Sequence, residues 1–249
     1  EPFFLEDGRL ITWADVTTEH SLAEKYLPIP TVVWGHRDLA LRGTAYAAGD
    51  PARSQLIADY SVENLSDRPR TVTLALALRP FQVNPPQQFL NILGGVARIA
   101  EIAWDGKALV INGRQRVLTL QKPDDVIVAA FEKATVPEIL SQAPPRLTRI
   151  RDDRGFASAV LLYRLELPAR GTRRLGLTAP LAGSPRLPDN EPADEQADHA
   201  AAWLDRQQAA TAADWREKLN RVALSVPPSA QPVADSLRTA LAHILINRG

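Results

Sequence analysis

From Gly8 to about Pro180 apolar residues recur at every second position, and turn residues break the alternation at short intervals. That is the pattern of antiparallel sheet with one wet face. Residues 10–16, 31–34, 39–46 and 56–63 are the first strand-length runs. The turn cluster Asn64-Leu65-Ser66-Asp67-Arg68-Pro69 leads straight into 71–78, so 56–63 and 71–78 are predicted to pair as a long hairpin. Residues 99–104, 108–111 and 117–120 are separated by Asp105-Gly106 and Asn112-Gly113. These dipeptides supply the positive φ of tight hairpin turns and predict a meander. Residues 126–131 suggest a strand buried on both faces, and 157–167 with 172–178 a closing hairpin across Pro168-Ala169-Arg170-Gly171. Ten or more such strands in about 170 residues curl or split rather than lie in one open sheet. The fold class expected is mainly β, an antiparallel sandwich of two sheets.

Past Pro180 the pattern changes period. Pro180, Pro185, Pro188 and Pro192, with Gly183, Ser184 and Asn190, mark a boundary, which places a β domain at 1–187 and a helical tail at 188–249. Residues 191–224 form one long predicted helix, with Ala200, Leu204, Thr211, Trp215, Leu219 and Val222 returning at helical steps. Acidic Glu191, Asp194, Glu195 and Asp198 open it and basic Arg216, Lys218 and Arg221 close it, as the helix dipole favours. Pro227-Pro228 ends it, and a second helix beginning near Ser229 carries Val233, Leu237, Ala240, Leu241, Ile244 and Leu245 on one stripe, widened by Ile246. Such a stripe is expected to be covered by material outside this chain, or else to fold back on the sandwich. Left uncovered, it would dimerise. The opening Glu1-Pro2-Phe3-Phe4 and the absence of Met give the same expectation, that this is a piece of a larger protein.

Composition narrows the partners. With 29 basic and 29 acidic residues the chain has no net charge, so no long-range field gathers nucleic acid or an anionic membrane surface. No run nears the roughly 18 apolar residues of a spanning helix. The chain is therefore expected to be soluble, compatible with a secreted or periplasmic location. The lack of Cys rules out disulfides, thiolate nucleophiles and zinc–thiolate sites.

The order of parts, a large two-sheet β domain, a Pro-rich crossing, a long linker helix and one further amphipathic helix, resembles the amino-terminal half of bacterial glycoside hydrolases of the glucoamylase, maltose phosphorylase and cellobiose phosphorylase type. The likeness is carried by Pro2-Phe3-Phe4-Leu5 with Gly8-Arg9-Leu10-Ile11-Thr12-Trp13, by Arg79-Pro80-Phe81-Gln82-Val83-Asn84-Pro85-Pro86, by Ala103-Trp104-Asp105-Gly106, and by Ser236-Leu237-Arg238-Thr239-Ala240-Leu241 running on to Ile246-Asn247-Arg248. Within that group the chain looks most like large bacterial proteins described as discoidin-containing or coagulation factor 5/8-type-like. The resemblance implies a galactose-mutarotase-like β-supersandwich ahead of a six-hairpin (α/α) barrel, with the catalytic carboxylates on the barrel. The expected function is then a non-catalytic, carbohydrate-associated architectural domain that packs against a barrel this chain lacks. The full-length parent would be a glycoside hydrolase or phosphorylase. The alternatives are a free-standing carbohydrate-binding module and a mutarotase-like sugar enzyme.

Residue chemistry agrees with the first. A mutarotase needs a glutamate facing an imidazole across a cleft, and with His20, His36, His199 and His243 the only adjacent Glu–His pair is Glu19-His20, which strand alternation sends to opposite faces. Asp59 and Glu63, four apart on one run, lie about 13 Å apart at strand rise, too far for paired glycosidase carboxylates, and are assigned to a solvated face. Asp124-Asp125 and Asp152-Asp153 are assigned to turns, Gly94-Gly95 has no phosphate-loop spacing, and Ser54, Ser61 and Ser158 stand in no nucleophile elbow. No catalytic residue, metal or cofactor is implied. One segment stands out. Residues 79–91 hold five side-chain amides, two Phe and three Pro, which suits a polyol or a polar interface. Phe81, Gln82, Asn84, Gln87, Gln88, Phe89 and Asn91 are the candidate contacts, with sugar, with the absent barrel, or with the loop's own backbone. Trp13, Trp34 and Trp104 fall in strand patterns and are assigned to the core.

Overall fold

The computed structural model describes residues 1–80, 82–84, 95–131, 135–141, 147–183 and 196–248. The chain is mainly β, with two antiparallel sheets besides a two-stranded ribbon. Strands β1 (Pro2–Glu6) and β2 (Arg9–Ile11) are followed by β3 (Thr17–Ala23), β4 (Leu27–His36), β5 (Leu39–Ala48) and β6 (Gln55–Asn64). Next come β7 (Arg70–Leu78), β8 (Gln82–Asn84), β9 (Gly95–Val96), β10 (Glu101–Trp104), β11 (Ala108–Ile111), β12 (Gln115–Thr119) and β13 (Asp125–Ala129). Helix α1 (Val136–Ser141), β14 (Arg149–Arg151), β15 (Ser158–Leu167), β16 (Thr172–Pro180), α2 (Gln196–Leu219) and α3 (Gln231–Asn247) complete the order. Two compact units result, Glu1–Val16 with Asp67–Ala169 and Thr17–Ser66 with Arg170–Gly249.

The first unit is built on the sheet β13-β15-β7-β1-β2. Its central strand β7 is buried on both faces because its neighbours supply side chains to each: Phe3 lies opposite Ala75 on one, Phe4 opposite Leu74 on the other. Small Ala75, Ala77 and Ala129 leave room for Val136 and Ile139 of α1, which close the first face together with Phe3, Ile127 and Val160. The predicted meander forms in the same unit as β10, β11 and β12, paired antiparallel. Its turns use the positive φ foreseen, Gly106 at 96°, Asn112 at 51° and Gly113 at 69°. Asn112 does a second job: its Oδ1 accepts from the Ala100 and Glu101 N–H groups at 2.8 and 3.1 Å, and its Nδ2 donates to the Arg98 carbonyl at 3.0 Å.

Asp152 is buried in this unit, where its carboxylate accepts from the N–H of Phe131 at 2.7 Å and of Arg154 at 2.9 Å. Burial opposes its charge, but the N–H groups of Phe131, Arg154, Phe156 and Gly155 outweigh that and hold the carboxyl below the ordinary aspartate range. A depressed native pKa stabilises the fold above about pH 4, and that contribution is lost as the pH falls through the native value. Asp152→Asn is therefore expected to lower stability by about 1–3 kcal/mol at pH 7 and to flatten the acid limb of the stability curve. Urea unfolding at pH 7, 5, 4 and 3 reads both, and parallel curves for the two proteins would refute the assignment.

The second unit carries the ladder β16-β6-β5-β4-β3, with α2 and α3 packed on it. Alternation in its long strands does not keep one face wet. In β5 the buried residues are Leu39 and Leu41, then Thr44, Tyr46 and Ala48; in β6 they are Gln55, Ile57 and Asp59, then Val62 and Asn64. The parity switches midway, so each strand buries one face along half its length and the other face along the rest. Thr44 pairs with Asp59 and Tyr46 with Ile57, and this half of the sheet is the one α2 covers, the Tyr46 hydroxyl donating to the Leu204 carbonyl at 3.3 Å.

Several expectations are corrected. Neither hairpin across 64–69 nor that across 168–171 forms: β6 pairs with β5 and β16, β7 with β1 and β15, and β15 pairs with β13 and β7. A polar connection of four to six residues is long enough to leave one sheet for another, unlike a two-residue turn, which fixes its partner. The crossings are tied by Asn64 N–H donating to the Gly171 carbonyl at 2.9 Å and Arg170 N–H to the Ser66 carbonyl at 3.0 Å. The run 10–16 breaks after Ile11 into a 3-10 turn, Trp13–Asp15, closed by a Thr12–Asp15 capping box. That turn turns Trp13 outward, 66% exposed, against its assignment to the core; Trp34 is buried and Trp104 half-buried. Phe131, taken as part of a strand buried on both faces, lies beyond β13 and is 53% exposed. Strand β3 was not foreseen because Thr17 to Ser21 are all exposed and show no alternation.

Candidate functional site

Of the seven candidate contacts in 79–91, Phe81, Gln87, Gln88, Phe89 and Asn91 lie outside the described residues. Gln82 and Asn84 are at the two ends of β8, which pairs with β9 across an irregular register, Gln82 opposite Val96 and Asn84 opposite Gly95. The 184–195 stretch of the Pro-rich crossing, with the first residues of the predicted long helix, also lies outside the described residues.

The groups weighed for catalysis are spread over different elements. His20 and Glu19 are exposed on β3, His36 ends β4, and His199 and His243 are exposed on α2 and α3. Among the described residues no three His, Asp or Glu side chains converge as metal ligands would. Asp59 is not on a solvated face: it is 7% exposed and belongs to an ion cluster under α2. Arg174 Nε donates to both its carboxylate oxygens at 2.9 and 3.1 Å and Nη2 to Oδ2 at 2.6 Å, while Nη1 reaches Asp205 Oδ1 of α2 at 2.6 Å. Burial, reinforced by Asp59 and Asp205 and opposed by Arg174, pushes the Tyr46 phenol well above its ordinary value. The cluster holds a helix on a sheet, with both Asp59 carboxylate oxygens taken up by the Arg174 guanidinium.

What the second unit offers instead is a surface. Helix α3 docks through Ala234, Asp235 and Ala242, with Arg238 beside them, and turns its larger apolar side chains away. Asp235 and Ala242 are buried, and the Arg238 guanidinium lies 5.2 Å from the centre of the Tyr26 ring, a cation–π contact. Tyr26 belongs to the β3–β4 turn, where Glu24 and Lys25 take the left-handed conformation at φ 51° and 70°, uncommon for such residues. The turn is held from α2 as well, by Arg216 Nε donating to Glu24 Oε1 at 2.6 Å and by Asn220 Nδ2 donating to the Tyr26 hydroxyl at 3.3 Å. On the outward side Val233 is 72% exposed, Leu237 57%, Leu241 38% and Ile244 62%. The only formal charges of α3 are Asp235 and Arg238, whose side chains are 11% and 14% exposed, so the exposed stripe carries no formal charge and is edged by Ser236 and His243. Sequence periodicity located this stripe; which way the helix turns it was beyond periodicity.

No family model matches the chain, and no curated protein matches it. Among solved structures it is similar to a bacterial glucoamylase complexed with acarbose, with TM-score 0.52 and 10% identity, covering 90% of this chain and 32% of that one. It also matches a family GH92 alpha-mannosidase from Bacteroides thetaiotaomicron with TM-score 0.33 and 11% identity, covering 93% of this chain and 27% of that one. At this identity the likeness to the glucoamylase is one of fold, and it lends nothing to the discoidin-containing expectation. Among the described residues no helix is long and apolar enough to cross a membrane. The chain spans about a third of the bacterial glucoamylase it matches, and shares with it a fold that is mainly β sheet, nearly end to end of the present sequence.

Proposed function

We propose that this chain is the non-catalytic β domain of a glycoside-hydrolase-like protein, residues 1–187 forming the sandwich and 188–249 the helical passage to a helical (α/α) domain against which it packs. The observation that carries the reading is the orientation of α3, which buries its two charges and presents Val233, Leu237, Leu241 and Ile244. A soluble domain does not ordinarily leave such a stripe open. Its spacing of four, four and three suits a helix laid alongside, and a charge-free face suits another apolar face and neither a polyanion nor an anionic membrane surface. The likeness of fold to part of a bacterial glucoamylase supports the same partner. In this reading the domain braces the helical domain and frames the mouth of its active site, and residues 79–91 are a further candidate contact.

The test is reconstitution. The chain by itself is expected to release no sugar from α-glucan substrates. Produced together with the helical domain it is expected to form a stable complex with hydrolytic or phosphorolytic activity, and removal of residues 1–187 is expected to lower the thermal midpoint of that complex by several degrees. Hydrolysis or anomer interconversion by the isolated chain, abolished by replacing one of its own Glu or Asp residues, would sink the proposal.

A further inference from the structure

Two clefts of the second unit meet at Lys25. One, of about 450 Å³, lies between the β3–β4 turn and α3 and is lined by Lys25, Gln231, Asp235, Ser236 and Thr239 over two prolines. The other, of about 500 Å³, runs along β3 and β4, where Lys25, His20, Ser21 and Thr31 stand around Leu22 and Val32. Each is large enough for a small ligand. Both are open and mix polar side chains with apolar ones, Pro228 and Pro232 in the first and Leu22, Pro30 and Val32 in the second.

The polar groups of the first cleft have largely spent their protons. Gln231 Nε2 donates to Asp235 Oδ1 at 2.8 Å, Ser236 Oγ to the Pro232 carbonyl at 2.8 Å, and Thr239 Oγ1 to the Asp235 carbonyl at 3.0 Å. What these hydroxyls and the Asp235 carboxylate still offer is lone pairs. A ligand that fits must bring O–H or N–H donors and a few acceptors for the Lys25 ammonium. Asp235 is already paired with Arg238, whose Nη1 lies 3.4 Å from Oδ1, so the uncompensated charge is one exposed ammonium. That is too little to hold an anion among so many acceptors, and a cation would meet Lys25. A neutral, hydroxyl-rich molecule with apolar ring faces satisfies every term.

From this geometry we propose that the paired clefts around Lys25 bind a neutral saccharide, Lys25 and the Ser236, Thr239 and Asp235 acceptors taking its hydroxyls while Leu22, Val32 and the prolines take its C–H faces. The proposal rests on the reading above, an accessory domain beside saccharide chemistry, and adds to it a ligand and a place. The site differs from the 79–91 segment to which the sequence pointed.

The test is amide NMR of the isotope-labelled chain, titrated to about 20 mM with maltotriose, cellotriose and mannotriose in separate arms and with inorganic phosphate in a fourth. At least one trisaccharide is expected to shift amides of residues 20–26 and 231–239 with a millimolar dissociation constant. Ser236→Ala and Lys25→Asn, the latter able to keep the left-handed turn, are each expected to weaken it about five- to ten-fold. The same spectra report whether each variant is folded. Silence from all three sugars, shifts confined to other elements, wild-type affinity in both variants, or phosphate binding tighter than any sugar would each overturn the assignment. Saccharide shifts that persist in a chain unable to join the helical domain would fail the packing proposal and leave this one standing.

Discussion

Arg174→Ala is expected to lower the unfolding free energy by about 3–5 kcal/mol, the cost of leaving a buried charge without its partner. Three guanidinium contacts of 2.6 to 3.1 Å end on Asp59, whose side chain is only 8% exposed. The same guanidinium reaches Asp205, 68% exposed, and that half of the cluster is worth at most about 1 kcal/mol. The order of damage is therefore Arg174→Ala, then Asp59→Asn, then Asp205→Ala. Replacing both members, Arg174→Met with Asp59→Leu, is expected to recover most of the loss, because an apolar pair of similar size carries no desolvation cost. Urea unfolding followed by tryptophan fluorescence measures all four, and a loss under 1 kcal/mol in Arg174→Ala would show that Asp59 is not dependent on it. The expected consequence is local: α2 loosens from β5 and β16, and the Tyr46 contact to Leu204 goes with it.

The second large effect separates stability from association. Leu237→Glu with Ile244→Glu is expected to leave the isolated chain as stable as before, within about 0.5 kcal/mol, because both side chains are already more than half exposed. The same pair is expected to cut affinity for the helical domain by at least about a thousandfold, since each large aliphatic side chain is worth about 1.5–3 kcal/mol when buried and a carboxylate in its place must be desolvated as well. Absent the partner, the wild-type chain is expected to self-associate through this face and the double variant to sediment as a monomer. Sedimentation and calorimetric titration decide it. A variant that unfolds would mean the stripe is inside the fold, and unchanged affinity would mean that the partner sits elsewhere.

Both effects depend on features that the sequence disclosed unequally. The stripe of α3 is legible because 3.6-residue periodicity needs only local spacing, and the meander of β10 to β12 because Asp-Gly and Asn-Gly dictate their own turns whatever surrounds them. Asp59 was misjudged for the complementary reason. Its environment is made by Arg174, 115 positions later, and by a helix beyond that. The two hairpins failed likewise: adjacency in sequence gave a pairing that neither crossing enforces. Trp13 was assigned by its strand-like neighbours, while the Thr12–Asp15 capping box that turns it outward is itself a local signal and could have been recognised. The lining of the Lys25 clefts comes from 20–32 and from 228–239, two stretches with no motif in common.

The amino-acid sequence alone thus determined the class of structure, antiparallel sheet followed by two helices, and the existence of an apolar stripe on the second, because period, turn chemistry and prolines act within a few residues. Tertiary structure alone decided which strands share a sheet, where each strand's buried parity switches, which carboxylate is buried in an ion pair and which side α3 presents. Those outcomes rest on partners distant in the sequence, and the free energy that selects them comes from burial and pairing that exist only once the chain has folded.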